Sequence, residues 1–370
     1  MKVPLVDLSA QHREVAAEVE AGLAEVMANT SFVLGPQVAA FEEEFASFSG
    51  VGHCVGVANG TDALELVLRA LGVGPGDEVI LPANTFIASA LAVTRAGAVP
   101  VFVDCDPVHH LIDADAVAGH ITARSKALMA VDLYGQVAPF DALEPLCESR
   151  GIVLVEDAAQ SQGARRNGRV AGGFGAAAGT SFYPGKNLGA YGDAGAVLTD
   201  RDDLAERVRR LRNYGSEVKY EHPELGFNSR LDTLQAVVLS AKLRRLARWN
   251  EERRRAAALY DALLGDLADV KRPAVLPGNE HVWHLYVVGV PERDRVLSML
   301  QESGIGAGVH YPLPCHLQGA YADLGYREGS FPVAEAAARE ILSLPLFPGI
   351  SAEQQERVVG VLKEALRAGA

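Results

Sequence analysis

Lys186 sits in the run Ser181-Phe182-Tyr183-Pro184-Gly185-Lys186-Asn187-Leu188. This follows an apolar stretch that closes on an acid, Ile152-Val153-Leu154-Val155-Glu156-Asp157. A lysine in an apolar pocket loses proton affinity, because desolvation disfavours its charged form. The neutral amine is then a nucleophile for a carbonyl carbon. A carboxylate at the end of a buried strand can hold the proton on a pyridine nitrogen. Pyridoxal phosphate needs both groups, and an anion cradle for its phosphate besides. One lysine and one acid also fit a surface loop and an unrelated strand end, so the neighbouring sequence has to carry the case.

Ala58-Asn59-Gly60-Thr61-Asp62 links a strand to a helix start. Glycine lets backbone approach a ligand closely, and free N–H groups at a helix N-terminus attract phosphate. A plain turn capped by Thr61 or Asp62 explains the same residues. Pro82-Ala83-Asn84-Thr85-Phe86 ends a second strand, and the Phe86 ring either stacks on an aromatic cofactor or packs beneath the next helix. Asp157 and Gln160 end a third strand. Ser181 lies on a fourth, where its hydroxyl can join the phosphate cradle or bond to backbone. Four strand ends at one sheet edge form the usual ligand crevice of open α/β sheets. The glycine-rich run Gly189 to Gly195 lacks the GxGxxG spacing of a dinucleotide turn and reads as a tight connection.

These residues have to be held by alternating elements. Helices are expected over Gln11 to Asn29 and Val38 to Phe48, from apolar residues at helical spacing. Strands are expected at Cys54–Val57, Glu78–Leu81, Val99–Val103, Ala127–Leu133, Ile152–Val155, Gly179–Tyr183 and Gly195–Leu198. Helices fall between them at Asp62–Leu71, Phe86–Ala96 and Asp141–Arg150. The rhythm implies an α/β fold, a mostly parallel sheet with helices on both faces. A helix over Asp202–Asn213 follows, then a long one over Leu231–Leu263, either continuous or broken near Trp249. Beyond it the pattern becomes a smaller α+β domain. Strands are expected at Val282–Val290 and Gly308–Tyr311, and helices at Glu292–Glu302, Ala334–Leu342 and Ala352–Leu366. The division expected is a large domain over 1–245 and a small one over 246–370.

Composition removes several classes. The chain of 370 residues is 49% hydrophobic and 22% charged, as ordinary globular proteins are. Its net charge of −13 argues against a general nucleic-acid binder. No signal segment and no apolar stretch long enough to span a bilayer is read. Four scattered cysteines without a CxxC pair fit a reducing cytoplasm and no zinc site. His281 and His284, three apart in an expected strand, would face opposite ways, so no metal is expected. His310 and Tyr311 read as pocket-lining polar groups, or as a hydrogen-bonded pair at a domain junction.

Taken together, the motifs resemble the DegT/DnrJ/EryC1/StrS family of PLP-dependent sugar aminotransferases over nearly the whole chain. The similarity runs through Val6-Asp7-Leu8, Phe32-Val33-Leu34-Gly35-Pro36, Ala58 to Leu64, and Gly76-Asp77-Glu78-Val79. It continues through Glu156 to Gln160, Ser181 to Leu188, Gly226 to Ala236, His310-Tyr311-Pro312 and Cys315-His316. The resemblance implies a PLP-dependent transferase of fold type I, a homodimer with sites at the subunit interface. It implies Lys186 as the cofactor lysine and Asp157 as the pyridinium partner. Phe86 would stack on the ring and Gln160 contact its face or hydroxyl. Gly60, Thr61 and Ser181 would hold the phosphate, with Asn228 supplied by the neighbouring subunit.

The activity implied is transfer of an amino group from L-glutamate to a nucleotide-linked keto-sugar. Some family members carry histidine at the lysine position and act as dehydratases, whereas Lys186 favours amino transfer. Many have histidine where Tyr183 stands, a departure that touches the substrate contacts. Gly192-Asp193-Ala194-Gly195 resembles enzymes that aminate C3 of a dTDP-linked 3-keto-6-deoxyhexose, where C4 enzymes more often carry glutamate at position 193. The substrate contacts expected are Tyr183, Lys219, Tyr220, Arg230, His310 and Tyr311, although Lys219 and Arg230 also fit solvated surface charges. Lyase chemistry on an amino acid and a non-catalytic regulator that binds the same ligands are the competing readings.

Overall fold

Apolar residues alternate along the strands, and that alternation builds two cores on opposite faces of one sheet. The computed structural model describes residues 1–368. α1 (Leu8–Asn29) and α2 (Pro36–Ser49) precede β1 (His53–Val57), α3 (Gly60–Ala70), β2 (Glu78–Pro82), α4 (Ile87–Ala96) and β3 (Val99–Val103). Next come the one-turn α5 (Ala114–Val117), β4 (Ser125–Val131), α6 (Phe140–Arg150) and β5 (Val153–Asp157). A small hairpin, β6 (Arg165–Arg166) and β7 (Arg169–Val170), leads to β8 (Ala177–Ser181) and β9 (Gly195–Thr199). Then follow α7 (Asp202–Leu211), α8 (Thr233–Leu264), β10 (Asn279–Glu280), β11 (Tyr286–Gly289) and α9 (Arg293–Glu302). The chain closes with α10 (Pro332–Glu340), β12 (Ile341–Leu344) and α11 (Ala352–Arg367).

The central sheet has the order β1-β9-β8-β5-β4-β2-β3. All strands run parallel except β9, which is antiparallel to both β1 and β8. The carboxyl ends of β1, β2, β5 and β8 therefore share one edge. Successive side chains of a strand point to opposite faces. Val55, Val79, Leu81, Met129, Val155 and Val197 accordingly join one core with α3, α4 and α7. Cys54, Ala178, Ala196 and Leu198 face the other way, against Phe41 and Phe45 of α2 and Leu239, Leu243 and Leu246 of α8. Ile80, Leu128 and Leu154 meet Phe140 and Leu143 of α6 on that same second face.

A further core gathers Ala256, Tyr260, Tyr286, Val288, Val296, Leu342 and Val358. Membership does not follow chain order: Val3 lies in this core, while Cys315, Tyr321 and Phe331 pack with the main sheet. Three local expectations are corrected. Val282–Val290 is a strand only from Tyr286 to Gly289, because Trp283 takes a left-handed φ of 50° and the Val282 and Leu285 N–H groups bond instead to Gly135 and Tyr134. Gly308–Tyr311 is not a strand. Gly308 makes an isolated bridge to Ser343, and Pro312 and Pro314 remove donors that a continuing strand would need. The helix expected over Ala334–Leu342 stops at Glu340, since Ile341 to Leu344 pair with β11.

α8 runs unbroken through Trp249, which is buried. Arg253, also buried, donates to the carbonyls of Trp283 and Leu346 at 3.1 Å each and so ties this helix to the later segments.

Candidate active site

The strand ends deliver the candidate residues to one edge by local rules. β1 ends at Val57, and Asn59 caps α3 through its side chain, accepting from the Asp62 N–H at 2.8 Å. The Asn59 carbonyl takes the Ala63 N–H at 3.0 Å. The N–H groups of Gly60 and Thr61 are left without a partner within the described chain, as first-turn donors of a helix are. Side chains are excluded there: a Cβ on Gly60 would lie 2.6 Å from the Cβ of Ser181, and one on Gly195 would lie 2.4 Å from the Asn59 carbonyl carbon. Glycine at 60 and 195 thus brings the Ser181 hydroxyl beside the α3 N-terminus. Gly195 pairs with both Val57 and Ser181, which locks the three strands in register.

Lys186 lies in a loop fixed on both sides. Phe182 is fully buried against Phe41 and Phe45, edge to face at 5.4 and 5.1 Å. On the other side Asn187 donates to Asn250 of α8 and to the Val282 carbonyl, each at 2.9 Å. Lys242 of α8, buried, donates to the Gly189 carbonyl at 2.6 Å. Lys186 is half-buried, and burial lowers its ammonium to about 8, with the Asp157 charge opposing the fall. An amine that is partly neutral near physiological pH is what carbonyl chemistry requires.

Asp157, the last residue of β5, is buried. One carboxylate oxygen accepts the Ser89 hydroxyl at 2.7 Å and the other the Ala159 N–H at 3.1 Å. Burial pushes its carboxyl up, against the Ser89 bond and the Lys186 charge. Below it in the sheet Glu156 accepts the Gly172 and Phe174 N–H groups, each at 2.8 Å, and Asp132 accepts the Ser161 hydroxyl and the Ala138 N–H, each at 2.8 Å. Burial and the neighbouring Asp132 charge drive the Glu156 carboxyl well up, against the two backbone N–H bonds it accepts.

Gln160 accepts the Tyr134 N–H at 2.7 Å and donates to the Tyr311 hydroxyl at 3.0 Å. The Tyr311 ring lies 5.1 Å from Phe86, tilted by 35°. Phe86 is 49% exposed, which places its ring at the mouth of the site, not beneath α4. His310 bonds through Nδ1 to the Ser343 hydroxyl at 2.8 Å, and Tyr183 is exposed beside the Lys186 loop. Lys219, Tyr220 and Arg230 line a different space, an open cavity of about 1040 Å³ within the excursion 213–230. Asn228 is exposed on that excursion and bridges to Asn213. Among the described residues no hydrogen bond or ring contact joins this group to the Lys186 edge. The candidates thus form two sets in one chain.

Sequence reasoning missed Ser89 and His284. Ser89 lies in the first turn of α4 and Thr85 just before the helix begins, and their hydroxyls stand 2.8 Å apart. His284 was set aside by the strand expectation, but bonds through Nδ1 to Asn187 at 3.3 Å; burial and the nearby Lys186 charge keep it neutral. The other histidines also have organic partners: the His281 ring stacks on Trp283 at 4.0 Å, and His316 pairs with Glu335 at 2.9 Å.

These residues fit pyridoxal phosphate. The free N–H groups of Gly60 and Thr61 with the Ser181 hydroxyl suit a phosphate. A buried carboxylate that lacks a full counter-ion suits a pyridinium N–H, and a lysine lowered to about 8 suits the aldehyde.

A family description, the DegT/DnrJ/EryC1/StrS aminotransferase family, matches residues 13–363. The chain is 48% identical over 371 residues to a protein named pleiotropic regulatory protein of Geobacillus stearothermophilus, with 99% of each covered. It is 47% identical over 363 residues to the dTDP-3-amino-3,4,6-trideoxy-alpha-D-glucose transaminase of Streptomyces venezuelae, covering 98% of this chain and 96% of the relative. The crystal structure of S. venezuelae DesV in complex with a ketimine intermediate superposes with a TM-score of 0.96 at 47% identity, over 98% of each chain. With that similarity running from end to end and through the strand edge that holds Lys186, the chain belongs to the DegT/DnrJ/EryC1/StrS aminotransferase family and is a pyridoxal-phosphate-dependent aminotransferase.

Proposed function

We propose that this chain moves an amino group from L-glutamate to C3 of a dTDP-linked 3-keto-6-deoxyhexose, as two copies that share their sites, in deoxyaminosugar biosynthesis. The observation that carries the catalytic part is the meeting of Lys186 and buried Asp157 at one sheet edge, each within electrostatic reach of the other. The printed name of the Streptomyces venezuelae relative supports C3.

Bound at this edge, pyridoxal phosphate supplies an electron sink for the carbon that loses its proton. The chain does the rest. Gly60, Thr61 and Ser181 would hold the phosphate, and Phe86 would cover one face of the ring. Asp157 would hold a proton on the ring nitrogen. The neutral Lys186 Nζ takes the proton from the donor's Cα in the first half-reaction. In the second it delivers one to the sugar's C3. Tyr183, His310 and Tyr311 surround the reacting end and set which carbonyl faces Nζ. A modest rotation of a remotely anchored hexose changes that choice. The test supplies matched dTDP-3-keto and dTDP-4-keto hexoses with L-glutamate and locates the new amine by NMR. Amine at C3 is expected. Turnover of the 4-keto sugar alone moves the assignment to C4 amination. Absence of 2-oxoglutarate with both hexoses overturns the dTDP-linked keto-hexose as the acceptor.

The second copy is argued from surface. Leu225 is 94% and Tyr220 82% exposed, and Phe32, Val33 and Leu34 are exposed in succession. Apolar exposure of this kind supports a second copy at this surface. In such a dimer the 213–230 excursion reaches across, so that Asn228 touches the other copy's phosphate and Lys219, Tyr220 and Arg230 meet its nucleotide diphosphate. Mixing Asn228→Ala with Lys186→Ala chains then yields dimers with one doubly altered and one intact site. Activity should return to a fraction of wild type after subunit exchange. No recovery in confirmed mixed dimers would mean each chain completes its own site.

A further inference from the structure

Asp157 does not stand at the ring nitrogen unsupported. Its second carboxylate oxygen accepts the Ser89 hydroxyl at 2.7 Å, and the Ser89 oxygen lies 2.8 Å from the Thr85 hydroxyl. All three side chains are buried, at 4%, 1% and 2% exposure. The direction of the chain is forced. An ionised carboxylate only accepts, so Ser89 donates to Asp157, and its own oxygen then receives the Thr85 proton. Hydrogen bonds aligned in one sense polarise each other. Thr85 is itself held, its carbonyl accepting the Cys315 thiol at 3.2 Å, while the Cys315 N–H bonds to Ala83 at 2.8 Å.

We propose that Thr85 and Ser89 form a hydroxyl relay that positions Asp157 and keeps it ionised, so that the proton stays on the cofactor's ring nitrogen. This rests on the reading of Asp157 given above. The role belongs to positioning residues, since neither hydroxyl touches the reacting atoms. Among the described residues Ser89 is one of two donors to the carboxylate, the other being the Ala159 N–H. A carboxylate buried this deeply is protonated unless hydrogen bonds or cations hold its charge. The charged and titratable groups facing it are few. Lys186 favours the ionised form, while the Asp132 charge opposes it; the Tyr311 phenol, held up by burial, carries no charge toward it near neutral pH. Ser89 is the side chain on α4 that tips this balance. Its place at the first turn, three residues beyond the exposed Phe86, lets one helix start serve both the face and the nitrogen of the ring.

The experiment reads the ring nitrogen directly, apart from turnover. Wild-type, Ser89→Ala, Ser89→Thr, Thr85→Val and Asp157→Asn proteins are reconstituted with pyridoxal phosphate labelled with 15N in the ring. The nitrogen chemical shift is then followed against pH. Ser89→Ala should lower the midpoint of ring-nitrogen deprotonation by about one pH unit, the tenfold change expected on losing a hydrogen bond to a charged group. Ser89→Thr should restore it, and Thr85→Val should move it the same way by less. An unchanged midpoint in Ser89→Ala, with Asp157→Asn shifted, overturns the relay and leaves Asp157 in its role. An unchanged midpoint in both overturns the relay together with the Asp157 reading. A Ser89→Thr protein that behaves as Ser89→Ala also overturns it, since packing and not the hydroxyl would then matter.

Discussion

Lys186→Ala should lose amino transfer by a factor of about a thousand or more, toward the upper end of what one positioned acid–base group supplies. The loss has two origins. Without Nζ there is no covalent hold on the cofactor, and no base stands beside the carbon that must give up its proton. Borohydride reduction and peptide mapping of the wild type should place a pyridoxyl adduct on Lys186, with none in the variant. A real competitor exists in Lys242, which burial also lowers to about 8. That amine is committed to the Gly189 carbonyl at 2.6 Å and serves to hold the loop. An adduct on Lys242 would reverse the two roles.

Asp157→Asn should bind cofactor and yet slow the reaction roughly a hundredfold or more, a loss of several kcal/mol of transition-state stabilisation. The amide keeps the shape and can still accept from Ser89. It cannot hold a proton on the ring nitrogen, so the ring draws electrons from the substrate carbon less well. The burial cost of the charge also disappears, but the amide NH2 then stands against the Ala159 N–H, a donor set against a donor. Half-reaction rates with L-glutamate alone separate this effect from sugar binding. Near-normal rates would mean the ring nitrogen has another partner.

The edge of the sheet was legible from Gly60, Phe86, Asp157, Gln160, Ser181 and Lys186 because each follows a short apolar run, and such runs become parallel strands. What could not be read was anything set by distant pairing. Nothing local marks β9 as the reversed strand between β1 and β8. The sequence Val282 to Val290 is apolar enough for one long strand, and only the demand of Tyr134 and Gly135 for partners bends its first half away. That bend is what turns His284 toward Asn187. Ser89 was hidden for another reason: a serine in a helix start looks like a cap, and its acceptor lies 68 positions later. Asn228 was grouped with the site by resemblance, and Lys219, Tyr220 and Arg230 as candidate substrate contacts that also fit surface roles; a single chain sets all four on their own excursion.

α8 carries a mechanical consequence. Its 32 residues span about 48 Å at the α-helical rise. Ala236, Leu239 and Leu246 are set in the core against the main sheet, and Ala256, Tyr260 and Leu264 in the later core. Hinge bending usually draws on a few loop or element-end residues that absorb large φ/ψ changes. Here the two cores are spliced by uninterrupted helix, and Arg253 and Asn250 clamp it midway to Trp283, Leu346, Gln162 and Asn187. The helix acts as a splint: swinging one core against the other would mean snapping backbone hydrogen bonds in its middle. The Lys186 loop, tied through Asn187 to Asn250 in the middle of this helix, is therefore anchored to the element that joins both cores.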